Sequence, residues 1–255
     1  MLKWCSYCQQ FQGEAAPYAD FTITHGLCRA CGGDQPILPS GIAVDRAKFL
    51  HAIFQSLFEA GRRNDFPAAE TIVGRAIAAN CRPVDVLVGM IAPMLHEIGE
   101  AWERGSLSVA GEHEFTAFSE RVIDLVEARM NGHARVSGNG DVVLMNAPGN
   151  THTLAIRILA LWLQARGVPA RTVDERALFG ALTGAPGRPK TLLISMALPE
   201  QRDGVAHLIE RLQNLPEPSR PRILIGGFAV KTGLTAPIAG SELVADIGEL
   251  DWLTA

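Results

Sequence analysis

The chain has 255 residues, 47% of them apolar and 20% charged, with a formal net charge of −4. That is globular composition with enough length for two medium domains and a small appendage. Lys and Arg are scattered, which excludes the basic footprint of direct nucleic-acid binding, and no apolar run reaches the roughly 18 to 20 residues a membrane span needs. The opening residues MLKWCSYCQQ show neither a basic n-region nor an apolar h-region, so a cytoplasmic protein with no membrane attachment is expected.

Residues 1–39 are rich in Cys, Gly and turn residues, and Pro36-Ile37-Leu38-Pro39-Ser40-Gly41 reads as the linker of a separate knob. Residues 44–131 follow a helical period: Phe49, Ile53, Leu57 and Phe58, then Ile72, Ala76 and Ile77, then Leu87, Ile91, Leu95 and Ile98, then Phe115, Phe118, Val122, Leu125 and Val126. Four helices are expected, broken at Gly61 to Phe66, Arg82-Pro83 and Gly105 to Ser108, connections short enough for an antiparallel bundle. After the polar stretch Asn131 to Gly140, β-rich runs alternate with amphipathic helices across residues 140–255: Val142 to Met145, Ala170 to Val173, Thr191 to Ser195, Ile223 to Ile225 and Leu243 to Ala245. That alternation predicts a parallel sheet with helices on both faces. The fold class is therefore α/β: a four-helix bundle followed by a Rossmann-like, flavodoxin-like parallel-sheet domain, with a small amino-terminal knob. Ligands of such sheets sit beyond the carboxyl ends of the strands, where strand order reverses.

Three junctions at that edge carry chemistry. The first strand runs into Asn146-Ala147-Pro148-Gly149-Asn150-Thr151-His152, which puts a histidine at the mouth of the sheet. It reads either as a metal ligand or as a helix-start histidine satisfied by backbone and water. Ser195-Met196-Ala197 and Gly226-Gly227 close the third and fourth strands, as a slot floor lacking large side chains or as an ordinary helix cap and glycine turn. In the bundle, Trp102 precedes Glu112 and His113 across a short connection; a core aromatic and a first-turn acid satisfy the same spacing. At the amino terminus, Cys5-x-x-Cys8 and Cys28-x-x-Cys31 enclose a nineteen-residue loop, a spacing that suits tetrahedral zinc, with a redox dithiol as the competing reading. Cys81, isolated in a helical stretch, reads as a small buried apolar residue.

These residues resemble the cobalamin (vitamin B12)-binding domains of methionine synthase, corrinoid methyl carriers and light-sensing cobalamin regulators. Their signature is D-x-H-x-x-G after the first strand, S-x-L after the third and G-G after the fourth. The resemblance implies that His152 is the lower cobalt ligand, that Asn150 stands where the acid orients the imidazole, and that Ser195, Gly226 and Gly227 line the channel for the displaced nucleotide tail. Asn150, Ala155 and Ala197 depart from the Asp, Gly and Leu of the pattern. The Asn150 carbonyl is expected to accept the ring N–H of His152 without the charge that raises ligand basicity. The bundle run Trp102-Glu103-Arg104-Gly105, with Glu112 and His113 ten and eleven residues after the Trp, resembles the helical cap of the light-sensing regulators. By that resemblance Trp102 and Glu112 shield the upper face of an adenosylcobalamin or methylcobalamin, and His113 is a further cofactor-binding residue. Glu103 stands where the adenosylcobalamin repressors place a second histidine ligand.

The expectation is a cytoplasmic cobalamin photoreceptor or sensor rather than an enzyme. It would signal to a regulatory protein partner through rearrangement of bundle and sheet domain, with a homo-oligomer among the expected assemblies. A corrinoid methyl-carrier component of a methyltransferase system is the alternative. Zinc is the second expected cofactor, and a bilin is a further tetrapyrrole the same large apolar slot would admit.

Overall fold

The computed structural model describes residues 1–32, 40–130, 141–184 and 188–254. Residues 36–39 of the proposed linker and the polar stretch at residues 131–140 lie outside them, while the linker's Ser40 and Gly41 begin the first helix. The chain divides into two compact units, Met1–Gly132 and His133–Ala255.

In the first unit, β1 (Leu2–Cys5), β2 (Phe11–Glu14) and β3 (Ile23–Gly26) make a small sheet of order β2-β1-β3, with β1 antiparallel to β2 and parallel to β3. The bundle follows as α1 (Ser40–Arg62), α2 (Phe66–Ala78), α3 (Pro83–Val86), a π-turn (Leu87–Ile91), α4 (Ala92–Glu103) and α5 (Val109–Met130). Because α3, the π-turn and α4 run on without a break, the bundle has the four helices that the periodicity predicts. Asp65 caps α2 by accepting the Ala68 N–H at 3.0 Å. Arg82 and the fully buried Asp85 close the corner into α3 with two charge-assisted bonds of 2.7 and 2.8 Å.

The π-turn has a cause in the sequence. Pro93 has no N–H for the Gly89 carbonyl four residues back, and its ring crowds that carbonyl in a regular α-helix. Widening the turn relieves both, and the Ala92 N–H bonds to Leu87 O instead, five residues back.

The expectation of a separate amino-terminal knob is not met, since β1–β3 pack on the helices. Arg46 of α1 donates to the carbonyls of Ser6 and Tyr7 at 2.6 and 2.8 Å. Phe21 stacks on Phe54 at 5.0 Å, and Phe54 leads through Phe58 to Phe115 of α5. Trp4 and Phe11, both buried, lie on Gly89 so closely that a Cβ there would be 2.6 Å from one ring and 2.8 Å from the other. Local periodicity cannot reveal such contacts, because apart from Phe54 with Phe58 they join residues far apart in sequence.

In the second unit, β4 (Val142–Asn146), β5 (Ala170–Thr172), β6 (Thr191–Ser195), β7 (Arg222–Gly226) and β8 (Glu242–Leu243) form a parallel sheet of order β5-β4-β6-β7-β8. This is the expected Rossmann-like arrangement, with strand order reversing between β4 and β6. The central strands are buried on both faces, as their unbroken apolar runs require. The helices are α6 (Thr153–Ala165), α7 (Glu175–Thr183), α8 (Arg202–Gln213) and the short α9 (Phe228–Lys231). Leu178, Leu182, Val205, Leu208 and Leu212 of α7 and α8 share one core with Val143, Ile194 and Ile225 of the sheet.

Candidate functional site

Parallel register sets Asn146 of β4 beside Ser195 of β6, and Ser195 beside Gly226 of β7. Three of the junction residues thus stand in one row at the carboxyl edge, at the reversal point. The loop leaving β4 is fastened to that row. Asn150 Nδ2 donates to Ser195 O at 2.9 Å, the Ala147 N–H donates to the same carbonyl at 2.9 Å, and Asn146 Nδ2 donates to His152 O at 3.2 Å.

Asn150 Oδ1 accepts the backbone N–H of His152 at 3.0 Å. That local turn, in which a side-chain carbonyl bonds two residues on, is common for Asn. Asn150 thereby orients the loop, and its carbonyl keeps a second acceptor site beside the one the backbone fills. His152 is the N-cap of α6, makes no side-chain cap bond and is exposed. Its imidazole is therefore presented at the edge of the sheet. Ala155, where the pattern has glycine, is exposed on the first turns of α6.

The glycine pair has a packing reason of its own. Gly227 has φ +105°, and a Cβ there would sit 2.4 Å from Met196 O and 2.9 Å from Met196 N and C. A Cβ on Gly226 would meet Val244 O at 3.2 Å. A cavity of about 660 Å³ opens on the opposite flank, where Asn146, Pro148, Asn150, Thr153, Arg157 and Asp174 line it between β4, β5 and α6. His152, which lies between the lining residues Asn150 and Thr153, is not itself part of its wall, nor are Ser195 and the glycine pair. Sequence reasoning missed Asn146, Arg157 and Asp174; the signal available was their place at the ends of the first two strands and on the first turns of α6.

Asn146 Oδ1 is buried and finds no hydrogen-bond donor among the described residues. Its orientation is fixed, because the Nδ2 of the same amide holds the His152 carbonyl. A presented imidazole, a large cavity beside it and an acceptor lacking a donor fit a metal-centred ligand with amide N–H groups on its rim.

In the helical unit, Trp102 ends α4 with 46% of its surface exposed, so it is not a core aromatic. Glu112 in the first turn of α5 accepts from Thr116 Oγ1 at 2.8 Å and lies 3.5 Å from His113 Nε2. The connection between the two helices is tied by Ser106 Oγ donating to Ala101 O at 2.8 Å.

The sulfurs of Cys5, Cys8, Cys28 and Cys31 lie within 4.8 Å of one another, with no disulfide among them. Four sulfurs at about 2.3 Å from a tetrahedral ion stand about 3.8 Å apart, and Cys8 and Cys28 are 3.8 Å apart. The Cys28 N–H donates to Cys5 Sγ at 3.3 Å. Burial pushes the Cys5 thiol up, but the N–H groups of Cys8, Cys28 and Tyr7 outweigh it and bring it down to about 7. Burial and the neighbouring Cys5 and Cys28 drive the Cys8 thiol far above the ordinary range. Four thiols gathered within reach of one another make a site that a cation completes by displacing protons. The buried Cys81 thiol is likewise pushed up, chiefly by desolvation, as expected of an inert apolar residue.

In chain order, a helical bundle is followed by a flavodoxin-like parallel sheet with a histidine at its switch point. Residues 53–127, all within the helical unit, match the family model described as B12 binding domain. The chain is 28% identical over 123 residues to the HTH-type transcriptional repressor CarH of Myxococcus xanthus, an alignment covering 48% of this chain and 39% of that protein. The match therefore spans about two fifths of the repressor. The monomethylamine corrinoid protein of Methanosarcina barkeri superposes with a TM-score of 0.63 at 15% identity, covering 76% of this chain and 92% of that one, a likeness of fold. No described helix is long and apolar enough to cross a membrane.

Proposed function

We propose that this chain is a cobalamin-binding sensor that answers light through a change in its helical cap and passes that change to a protein partner. The observation that carries this reading is Trp102: a large indole, 46% exposed at the end of α4, inside the segment that matches a B12 binding domain. Bound adenosylcobalamin or methylcobalamin would supply a cobalt–carbon bond that light breaks. His152 would ligate the cobalt, while Asn150 and Asn146 hold the backbone on either side of that imidazole. On the helical unit, Trp102 would offer an apolar surface and Glu112 a hydrogen-bond acceptor to the cofactor, with His113 beside Glu112. Those contacts would differ before and after illumination, and contacts that differ between two states are what a switch requires. Glu103, a charged group that prefers water, does not become a second strong cobalt ligand. The four cysteines hold one zinc ion.

The test is to load the protein with each cobalamin in darkness, illuminate it, and follow the visible spectrum together with hydrodynamic size. The sensor reading expects both to change. A spectrum that responds while size and amide exchange of the helical unit stay fixed favours a methyl carrier, whose upper face must stay open to a methyltransferase.

A further inference from the structure

Trp4 and Phe11 close on Gly89 from one side of the bundle, and the main chain passes directly from Trp4 into Cys5. The two rings meet edge to face at 5.4 Å, and β2 packs on the π-turn that contains Gly89. Only glycine admits rings at that distance, and Pro93 sets the wide turn that presents it. The same helical run reaches Trp102 thirteen residues later, about 20 Å along the axis. On the other side of the cysteine cluster, Arg46 holds the carbonyls of Ser6 and Tyr7, the two residues between Cys5 and Cys8.

We infer that a metal ion held by Cys5, Cys8, Cys28 and Cys31 positions the helix that carries Trp102, through Trp4 and Phe11 wedged on Gly89. The inference rests on the reading of the four cysteines as a metal site and goes beyond it. The metal is a positioning element for the cap, not an isolated fold staple. Strands of four residues each have little to hold them together once four thiols replace one tetrahedral ion. When β1 loosens, the two rings lose their fixed seat, and the π-turn loses the apolar cover that excludes water from its main chain. α2 is the internal control, because it lies in the same bundle without this wedge.

The experiment is hydrogen–deuterium exchange on the full chain, loaded with zinc and then stripped with an organomercurial and chelator, with metal counted by elemental analysis. Stripping should speed exchange in residues 1–32 and also in residues 83–103, the latter on the order of tenfold, while α2 and β4 to β7 stay unchanged. Phe11→Ala, selected for retaining one zinc per chain, should show the faster exchange in residues 83–103 with metal present and little further response to stripping. Acceleration confined to residues 1–32, or equal acceleration of α2, overturns the inference while leaving the metal site standing. A chain that takes up no zinc sinks the metal reading and the inference with it.

Discussion

Gly227→Ala separates two explanations of the glycine pair. If Gly227 is there for the fold, the cost appears without any ligand. An alanine held at φ +105° bears about 1 to 3 kcal/mol of backbone strain. Its Cβ would also sit 2.4 Å from Met196 O, a main-chain atom at the end of a central strand that no rotamer change can move aside. Overpacking of that kind adds about 1 to 3 kcal/mol, so the sheet unit should lose about 2 to 6 kcal/mol, a large part of a typical domain stability of about 5 to 15 kcal/mol. In urea, with a slope of about 2 kcal/mol per molar, the midpoint should fall by roughly 1 to 3 M. The assay is urea unfolding of the cobalamin-free protein, followed by far-ultraviolet circular dichroism. A variant as stable as wild type but weak in cobalamin binding would refute the packing argument and return Gly227 to the nucleotide-tail channel.

His152→Ala removes an exposed ring with no cap bond, so stability should change by less than about 0.5 kcal/mol, while the visible spectrum of bound cobalamin shifts; an unchanged spectrum takes His152 off the cobalt. Asn150→Asp restores the acid of the family pattern, yet a carboxylate cannot donate to Ser195 O as Asn150 Nδ2 does. It should cost about 1 to 3 kcal/mol in urea unfolding at neutral pH, and a gain in stability would show that the amide strut is dispensable. Arg46→Ala deletes two charge-assisted bonds to the loop between Cys5 and Cys8 and should lower stability by roughly 1.5 to 3 kcal/mol, read as an earlier thermal release of zinc to a colorimetric chelator.

The parallel sheet was legible because strands buried on both faces are continuous apolar runs, as in Val142 to Met145 and Thr191 to Ser195. The fifth strand was displaced, observed at Glu242–Leu243 where Leu243 to Ala245 is expected, since two bridging residues leave no period to read. β1 to β3 were missed for the same reason of length. Their union with the bundle depends on Arg46, Phe21, Phe54 and Gly89, which meet only in three dimensions. The π-turn was also missed, because the apolar period runs through it at Leu87, Ile91, Leu95 and Ile98, although Pro93 is its signal. At the site, residue types and spacing located Ser195 and Gly226 of the row, but not Asn146 beside them, nor which group Asn150 would bond. That choice went to the nearest backbone N–H, two residues away, and Asn150 became a strut of the loop.

The central claim is that this chain holds a cobalamin, and the most direct measurement is gel filtration in darkness after incubation with excess adenosylcobalamin, monitored at visible wavelengths. The account predicts that cobalamin absorbance travels with the protein peak at about one equivalent per chain, and that His152→Ala lowers it or alters its spectrum. Cobalamin absorbance confined to the small-molecule fraction, with folded wild-type protein eluting colourless, would contradict it.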